Sequence, residues 1–180
     1  MVKSVLIISS SPRINSNSDI LCEQFANGAK TTGNTVEMIS VKEKKVNYCL
    51  GCGVCIINNY TACSQHDDME EILNKIIAAD VVLLASPVYF YTINAQMKTI
   101  IDRCCAKYTQ IRDKEFYIIL TASDADVTML DRGVECFRGF FDCLENVRIQ
   151  GIIKGAGLEG RGEVKKTEYM KIAYNMGKNV

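Results

Sequence analysis

Five short apolar runs rich in β-branched residues, separated by segments of helical spacing, constrain this chain more than any other feature. Val5-Leu6-Ile7-Ile8 is apolar without alternation and is bounded by serines and a proline, the pattern of a strand buried on both faces. Asp80–Ala85 reads as another buried strand, and Thr35–Val41, Phe116–Thr121 and Val147–Ile153 as three more strands. Residues 18–31, 67 onward, 95–107, 127–144 and 164–178 carry apolar side chains at helical intervals, as in Ile20, Leu21, Phe25 and Ala29. Asp67-x-x-Glu70 has the form of a capping box ahead of Met69, Ile72, Leu73, Ile76 and Ile77. The alternation predicts an α/β, three-layer fold: a five-stranded parallel sheet in the order 2-1-3-4-5 with helices on both faces. No repeat or linker divides the 180 residues, so a single domain is expected over 1–180, with a cysteine-rich loop of no clear periodicity at about 42–66.

Charge excludes several classes of partner. Lys plus Arg and Asp plus Glu number 21 each, so there is no electrostatic footprint for nucleic acid or an anionic membrane. The same balance argues against a carrier that docks through a strongly acidic face. No stretch approaches 18 consecutive apolar residues, and the short amino-terminal run has no small-residue cleavage site after it. A soluble, cytoplasmic, unprocessed chain is expected. In that compartment nine cysteines are not a disulfide framework. Four of them crowd into fifteen residues, which points to metal binding or redox chemistry. Cys22, Cys104, Cys105, Cys136 and Cys143 fall in helical patterns and are expected to be small buried apolar groups.

In a doubly wound sheet, ligands bind beyond the carboxyl ends of the strands, where the strand order reverses. The first strand exits into Ser9-Ser10-Ser11-Pro12-Arg13-Ile14-Asn15-Ser16-Asn17-Ser18: hydroxyls, amides and a guanidinium leading into a helix N-terminus. Backbone N–H groups and the helix dipole favour an anion there. No Gly-Lys-Ser/Thr occurs, so a monophosphate fits better than a triphosphate with magnesium. An ordinary polar loop with a serine cap has the same composition. Both prolines of the chain, Pro12 and Pro87, lie in the loops that flank this switch point. The second loop, Ser86-Pro87-Val88-Tyr89-Phe90-Tyr91-Thr92, puts three aromatics at the mouth, suited to a planar heterocycle or to a second copy of the chain.

These two loops resemble the NAD(P)H-dependent FMN reductase family and its flavodoxin-like relatives. The family's first pattern stands here as Ser10-Ser11-Pro12-Arg13 with Asn17-Ser18. The second stands as Ser86 to Phe90, Ala95-Gln96-Met97-Lys98 and Ile101-Asp102-Arg103. The resemblance implies a flavodoxin-like FMN-binding domain. Ser9, Ser11, Arg13, Asn17 and Ser18 then hold the phosphate, Pro87, Val88, Tyr89 and Phe90 line the isoalloxazine, and Thr121, Ala122 and Ser123 contact ring or ribityl. Ser10 replaces the usual glycine, and Tyr91-Thr92 a usual Gly-Ser. Asp102-Arg103 is expected to tie a helix end to its neighbours.

Cys49-x2-Cys52-x2-Cys55-x7-Cys63, with Gly51 and Gly53 between, is the sharpest local signal. Its close triplet has the spacing of a cluster-binding ferredoxin run rather than of two separated zinc pairs. It resembles the iron–sulfur flavoprotein branch of the family, which implies a [4Fe–4S] cluster on these four residues beside FMN. Free or redox-active thiols and zinc are the other readings, and the sole histidine, His66, is expected in a loop or cap. Gly155-Ala156-Gly157-Leu158-Glu159-Gly160 matches G-x-G-x-x-G but is followed by a helical pattern rather than a strand, so it reads as a flexible connection. The function implied is an FMN-dependent oxidoreductase. It takes electrons from NAD(P)H or a reduced carrier and passes them to a small-molecule or protein acceptor. A homodimer or homotetramer is expected, and no catalytic side chain is named because the flavin carries the chemistry. A non-enzymatic electron carrier and a thiol-based redox sensor are the alternatives.

Overall fold

The computed structural model describes residues 1–180. The first half runs β1 (Ser4–Ser9), α1 (Asn17–Thr31), β2 (Thr35–Ser40), α2 (Val54–Ile57), α3 (Met69–Ala78) and β3 (Val81–Tyr89). The second half runs β4 (Thr92–Ile93), α4 (Ala95–Arg103), β5 (Arg112–Thr121), α5 (Asp131–Phe141), β6 (Glu145–Gly155) and α6 (Tyr169–Lys178). The five long strands are parallel and ordered β2-β1-β3-β5-β6, the predicted doubly wound arrangement. A sixth strand, β4, was not foreseen; it is two residues long and pairs antiparallel with the end of β3.

Alternate strand residues feed two cores. Leu6, Ile8, Val82, Leu84 and Phe116 face α3, α4 and α5. Val5, Ile7, Val81 and Leu83 face α1 and α6. The latter two helices touch backbone to backbone: a Cβ added at Gly28 would lie 2.0 Å from the Tyr174 carbonyl oxygen, and one at Gly177 2.0 Å from that of Phe25. Gly28→Ala or Gly177→Ala is therefore expected to cost about 1–3 kcal/mol by forcing the helices apart, read as a lowered urea midpoint at unchanged slope.

Three helical expectations need correction at their ends. Residues 95–107 form a helix only to Arg103, then 3-10 turns at 104–106 and 108–110. Residues 127–130 are a 3-10 turn, with the Asp126 carboxylate accepting from Thr128 N. In the last segment Thr167 is extended and its hydroxyl donates to the Val164 carbonyl at 2.8 Å. That local bond ends the 163–166 turn before α6 begins at Tyr169. The capping box does not form either. Asp67 accepts from Met69 N at 3.2 Å, but no side-chain cap closes on the Asp68 position, and the Asp67 carboxylate is engaged elsewhere.

Candidate cofactor site and cysteine pocket

At the carboxyl edge of the sheet a cavity of about 170 Å³ lies between the β1, β3, β5 and β6 loops. Arg13, Ser16, Asn17, Ser18, Pro87, Val88, Tyr89, Thr121, Ala122 and Ser123 line it, together with Leu158 and Glu159. Nine residues expected from the sequence are thus brought together. Ser9, Ser11 and Phe90 are not among them. The Ser9 hydroxyl donates to the Asp19 carboxylate, which also pairs with Lys42 at 3.0 Å. Buried Ser11 accepts from Arg13 N at 3.3 Å and shapes the loop. Phe90 is 98 % exposed at a hairpin tip.

The α1 N-terminus supplies the anion cradle. Ser16 caps the helix through Asp19 N at 3.0 Å and Ile20 N at 3.1 Å. The N–H groups of Asn17 and Ser18, ahead of those two, are left for a ligand. Arg13 brings positive charge to the wall, and the Asp19–Lys42 pair neutralises the carboxylate of the helix's first turn. Asn17 has a structural duty instead: its amide donates to the Gly160 carbonyl at 2.9 Å and accepts from Val164 N at 3.2 Å.

That bond corrects the reading of 155–160 as a flexible connection. Gly157 N donates to Asp124 O at 2.7 Å and Leu158 N to Ala122 O at 2.8 Å, so the segment is pinned as the third wall of the cavity. Its position at the exit of an edge-side strand was the available signal. Sequence reasoning also missed Asn94. Its side chain caps α4 through Met97 N at 3.1 Å, donates to Ser10 O at 2.7 Å and approaches the Ser10 and Ser86 hydroxyls. The serine at position 10 is accordingly a buried partner of Asn94 that joins the two cofactor loops. Beyond Tyr89 the chain turns through Phe90 and Tyr91 at φ +48° and +67° and pairs Tyr89 with Thr92. Two aromatic residues occupy a turn that suits Asn-Gly, at about 1–2 kcal/mol each, and Arg132 lies 5.5 Å from the Tyr91 ring centre.

Cys49, Cys52, Cys55 and Cys63 line one pocket of about 150 Å³, and Cys105 joins them. Gly51 and Gly53, at φ +62° and +74°, make the turns that carry the chain around it. The Ser64 hydroxyl and the Val54 N–H draw the Cys52 thiol below its ordinary value. Burial chiefly, and then the adjacent Cys55, push Cys105 up to about 11. No three His, Cys, Asp or Glu side chains form a group able to hold a single metal ion. The expectation that the other five cysteines are buried holds for Cys22 and Cys104 alone. Cys105 is exposed on the turn after α4, Cys136 is half-buried, and Cys143 is exposed beyond α5.

Arg103 does tie a helix end to its neighbours. Its guanidinium donates to Asn47 O at 2.7 Å and to both Asp67 oxygens at 2.8 and 2.9 Å, with the side chains 2 % and 6 % exposed. Its Nε is buried without a partner, and the Cys63 thiol lies near the guanidinium. Asp67 is held down from 3.8 to about 2 by the Arg103 guanidinium first, with the Asn47 and Met69 N–H groups adding to it. A depressed folded value stabilises the protein above the unfolded value and is lost as pH falls through the folded one. The stability gap between the native protein and Asp67→Asn is expected to shrink by about 2 kcal/mol from pH 4 to pH 2 in urea titrations.

A doubly wound parallel sheet in this strand order is the flavodoxin-like fold. The model of the NADPH-dependent FMN reductase family matches residues 4–130, and the chain belongs to that family. Its relatives include an iron-sulfur flavoprotein of Archaeoglobus fulgidus, 41 % identical over 93 residues, which cover 52 % of this chain and 41 % of that one. One of Methanosarcina thermophila is 34 % identical over 96 residues, covering 53 % and 49 %. The chain spans about half the length of the curated relatives it matches. Among solved structures, an NAD(P)H:quinone oxidoreductase from Methanothermobacter marburgensis superposes with a TM-score of 0.76 at 18 % identity, covering 99 % of this chain and 96 % of that one. An FMN-dependent NADH-azoreductase from Bacillus anthracis, in complex with FMN, gives 0.73 at 14 % identity with 98 % of each covered. These two likenesses establish the fold. No helix is long and apolar enough to cross a membrane.

Proposed function

We propose that the chain is an oxidoreductase that binds FMN at the carboxyl edge of its sheet and passes electrons from NAD(P)H or a reduced carrier to an acceptor. The observation that carries this is the convergence of the open α1 N-terminus, Arg13 and Ser18 with the 87–89 and 121–123 loops on one cavity. FMN supplies the hydride and single-electron chemistry when bound. The chain's own residues bind and orient it. Asn17 N–H, Ser18 and Arg13 receive the phosphate, while Ser9 and Ser11 act behind them by holding the loop. The cavity is smaller than the roughly 300–1,000 Å³ of a whole-ligand site, which suits the phosphate and ribityl end. Tyr89 and the hairpin beyond it would hold the ring, and exposed Phe90 would offer a surface to a second copy in a homodimer or homotetramer.

Cys49, Cys52, Cys55 and Cys63 are the proposed ligands of a [4Fe–4S] cluster that links the flavin to a one-electron partner. Thiolate is the donor that selects such clusters, and the four side chains share a pocket that Arg103 also lines. The close Cys-x2-Cys-x2-Cys spacing favours a cluster over zinc, whose four-cysteine sites use two separated pairs. The test is anaerobic mixing of flavin-loaded protein with NADPH or NADH, with iron and acid-labile sulfide assayed on the same sample. Fast bleaching of the flavin band with about four irons per chain is expected. Reduction by a reduced ferredoxin alone would make the chain a carrier, and iron-free protein with full flavin reduction would leave the thiols without a cluster.

A further inference from the structure

Cys105 lies outside the four-cysteine motif, fifty residues along the chain from Cys55, yet the two Sγ atoms are 3.7 Å apart. Their elements are held together independently of the thiols. The Tyr60 and Tyr108 rings meet edge to face at 4.9 Å, and the Gln110 amide donates to Tyr60 O at 3.2 Å. These contacts hold the segment that follows α2 against the turns after α4, keeping the two thiols within reach of the ~2.05 Å of a disulfide. Cys105 is exposed and Cys55 half-buried, so an oxidant can reach the pair, whereas neighbouring Cys104 is buried.

We infer that Cys55 and Cys105 form a reversible disulfide in the iron-free protein, making Cys105 a second-site thiol that closes the cluster pocket. The oxidant is a low-molecular-weight disulfide. The Cys55 thiolate attacks one of its sulfurs and releases the first small thiol, leaving a mixed disulfide on Cys55. Cys105 gives up its proton, attacks the Cys55 Sγ and expels the second. Two protein thiols are oxidised by two electrons, and one small disulfide is reduced to two thiols. Cys55 cannot ligate iron while so bonded, so disulfide and cluster exclude each other. That consequence rests on the cluster reading proposed above, whereas the pairing itself needs only the thiols.

The test takes full-length, iron-free, reduced protein and treats it with glutathione disulfide. Trypsin leaves residues 46–75 and 104–107 on separate peptides. The expected product is one link between them, with loss of two free thiols per chain and reversal by reductant. Cys105→Ser is expected to abolish the link and leave glutathione on Cys55, and Cys55→Ser to abolish it too, while Cys104→Ser and Cys49→Ser retain it. A link that survives Cys55→Ser or Cys105→Ser, or two free thiols at these positions after treatment, overturns the inference. Iron reconstitution of the reduced protein is run alongside. Failure to take up iron with the link intact counts against the cluster alone, and an absent link with full iron uptake counts against the disulfide alone.

Discussion

Ser18→Asp is expected to weaken FMN binding at least ~100-fold. Ser18 lies at the second position of α1 on the cavity wall, beside a free backbone N–H. The helix dipole favours acid in the first turn, which offsets part of the cost of placing a carboxylate at a position only 1 % exposed. The same carboxylate meets the phosphate at close range, and ~100-fold corresponds to about 2.8 kcal/mol, within the several kcal/mol of a like-charge contact in a partly desolvated site. Fluorescence titration of FMN against both proteins measures it, with circular dichroism separating lost binding from lost folding. Binding within threefold of the parent would place the phosphate elsewhere.

The largest loss of stability is expected from Arg103→Met. The guanidinium is the common partner of Asn47 O and both Asp67 oxygens, which bracket the cysteine loop at its two ends. Removing it leaves the Asp67 charge buried without its partner, which costs about 3–5 kcal/mol. Because all four cysteines of the motif lie between residues 47 and 67, the cost falls on the loop first. Limited proteolysis is expected to cut within 48–66 in Arg103→Met before the sheet unfolds. A urea midpoint unchanged from the parent would mean that other contacts hold the loop. The double change Arg103→Met with Asp67→Leu removes both charges and is expected to recover most of the loss.

The sheet was legible because β1, β3 and β5 carry continuous apolar runs, and buried parallel strands leave little else for such a run to be; β2 and β6, interrupted by Glu37 and by Arg148 and Gln150, are the partly exposed edges. Strand β4 was not, since Thr92-Ile93 is too short for any period and exists only because the chain reverses at Phe90-Tyr91. The phosphate loop was read in composition but not in detail. Nothing local distinguishes Ser18, which faces the cavity, from Ser9, whose hydroxyl is taken by Asp19 ten residues on. Asn94 and the 155–160 wall escaped for a related reason: their roles depend on partners 84 and more than 30 residues away. Cys105 was read as a helical core residue because its partner, Cys55, is fifty positions upstream. The capping-box pattern at Asp67 misled because the carboxylate had a stronger, buried partner in Arg103.

The most direct test of the account is calorimetric titration of the cofactor-free chain with FMN and, in parallel, with riboflavin, which lacks the phosphate. The cradle at α1 offers charge-assisted hydrogen bonds at about 1.5–3 kcal/mol each. The account therefore predicts one FMN per chain, bound at least ~100-fold more tightly than riboflavin. Equal affinity for the two, or no saturable uptake of FMN, would contradict it.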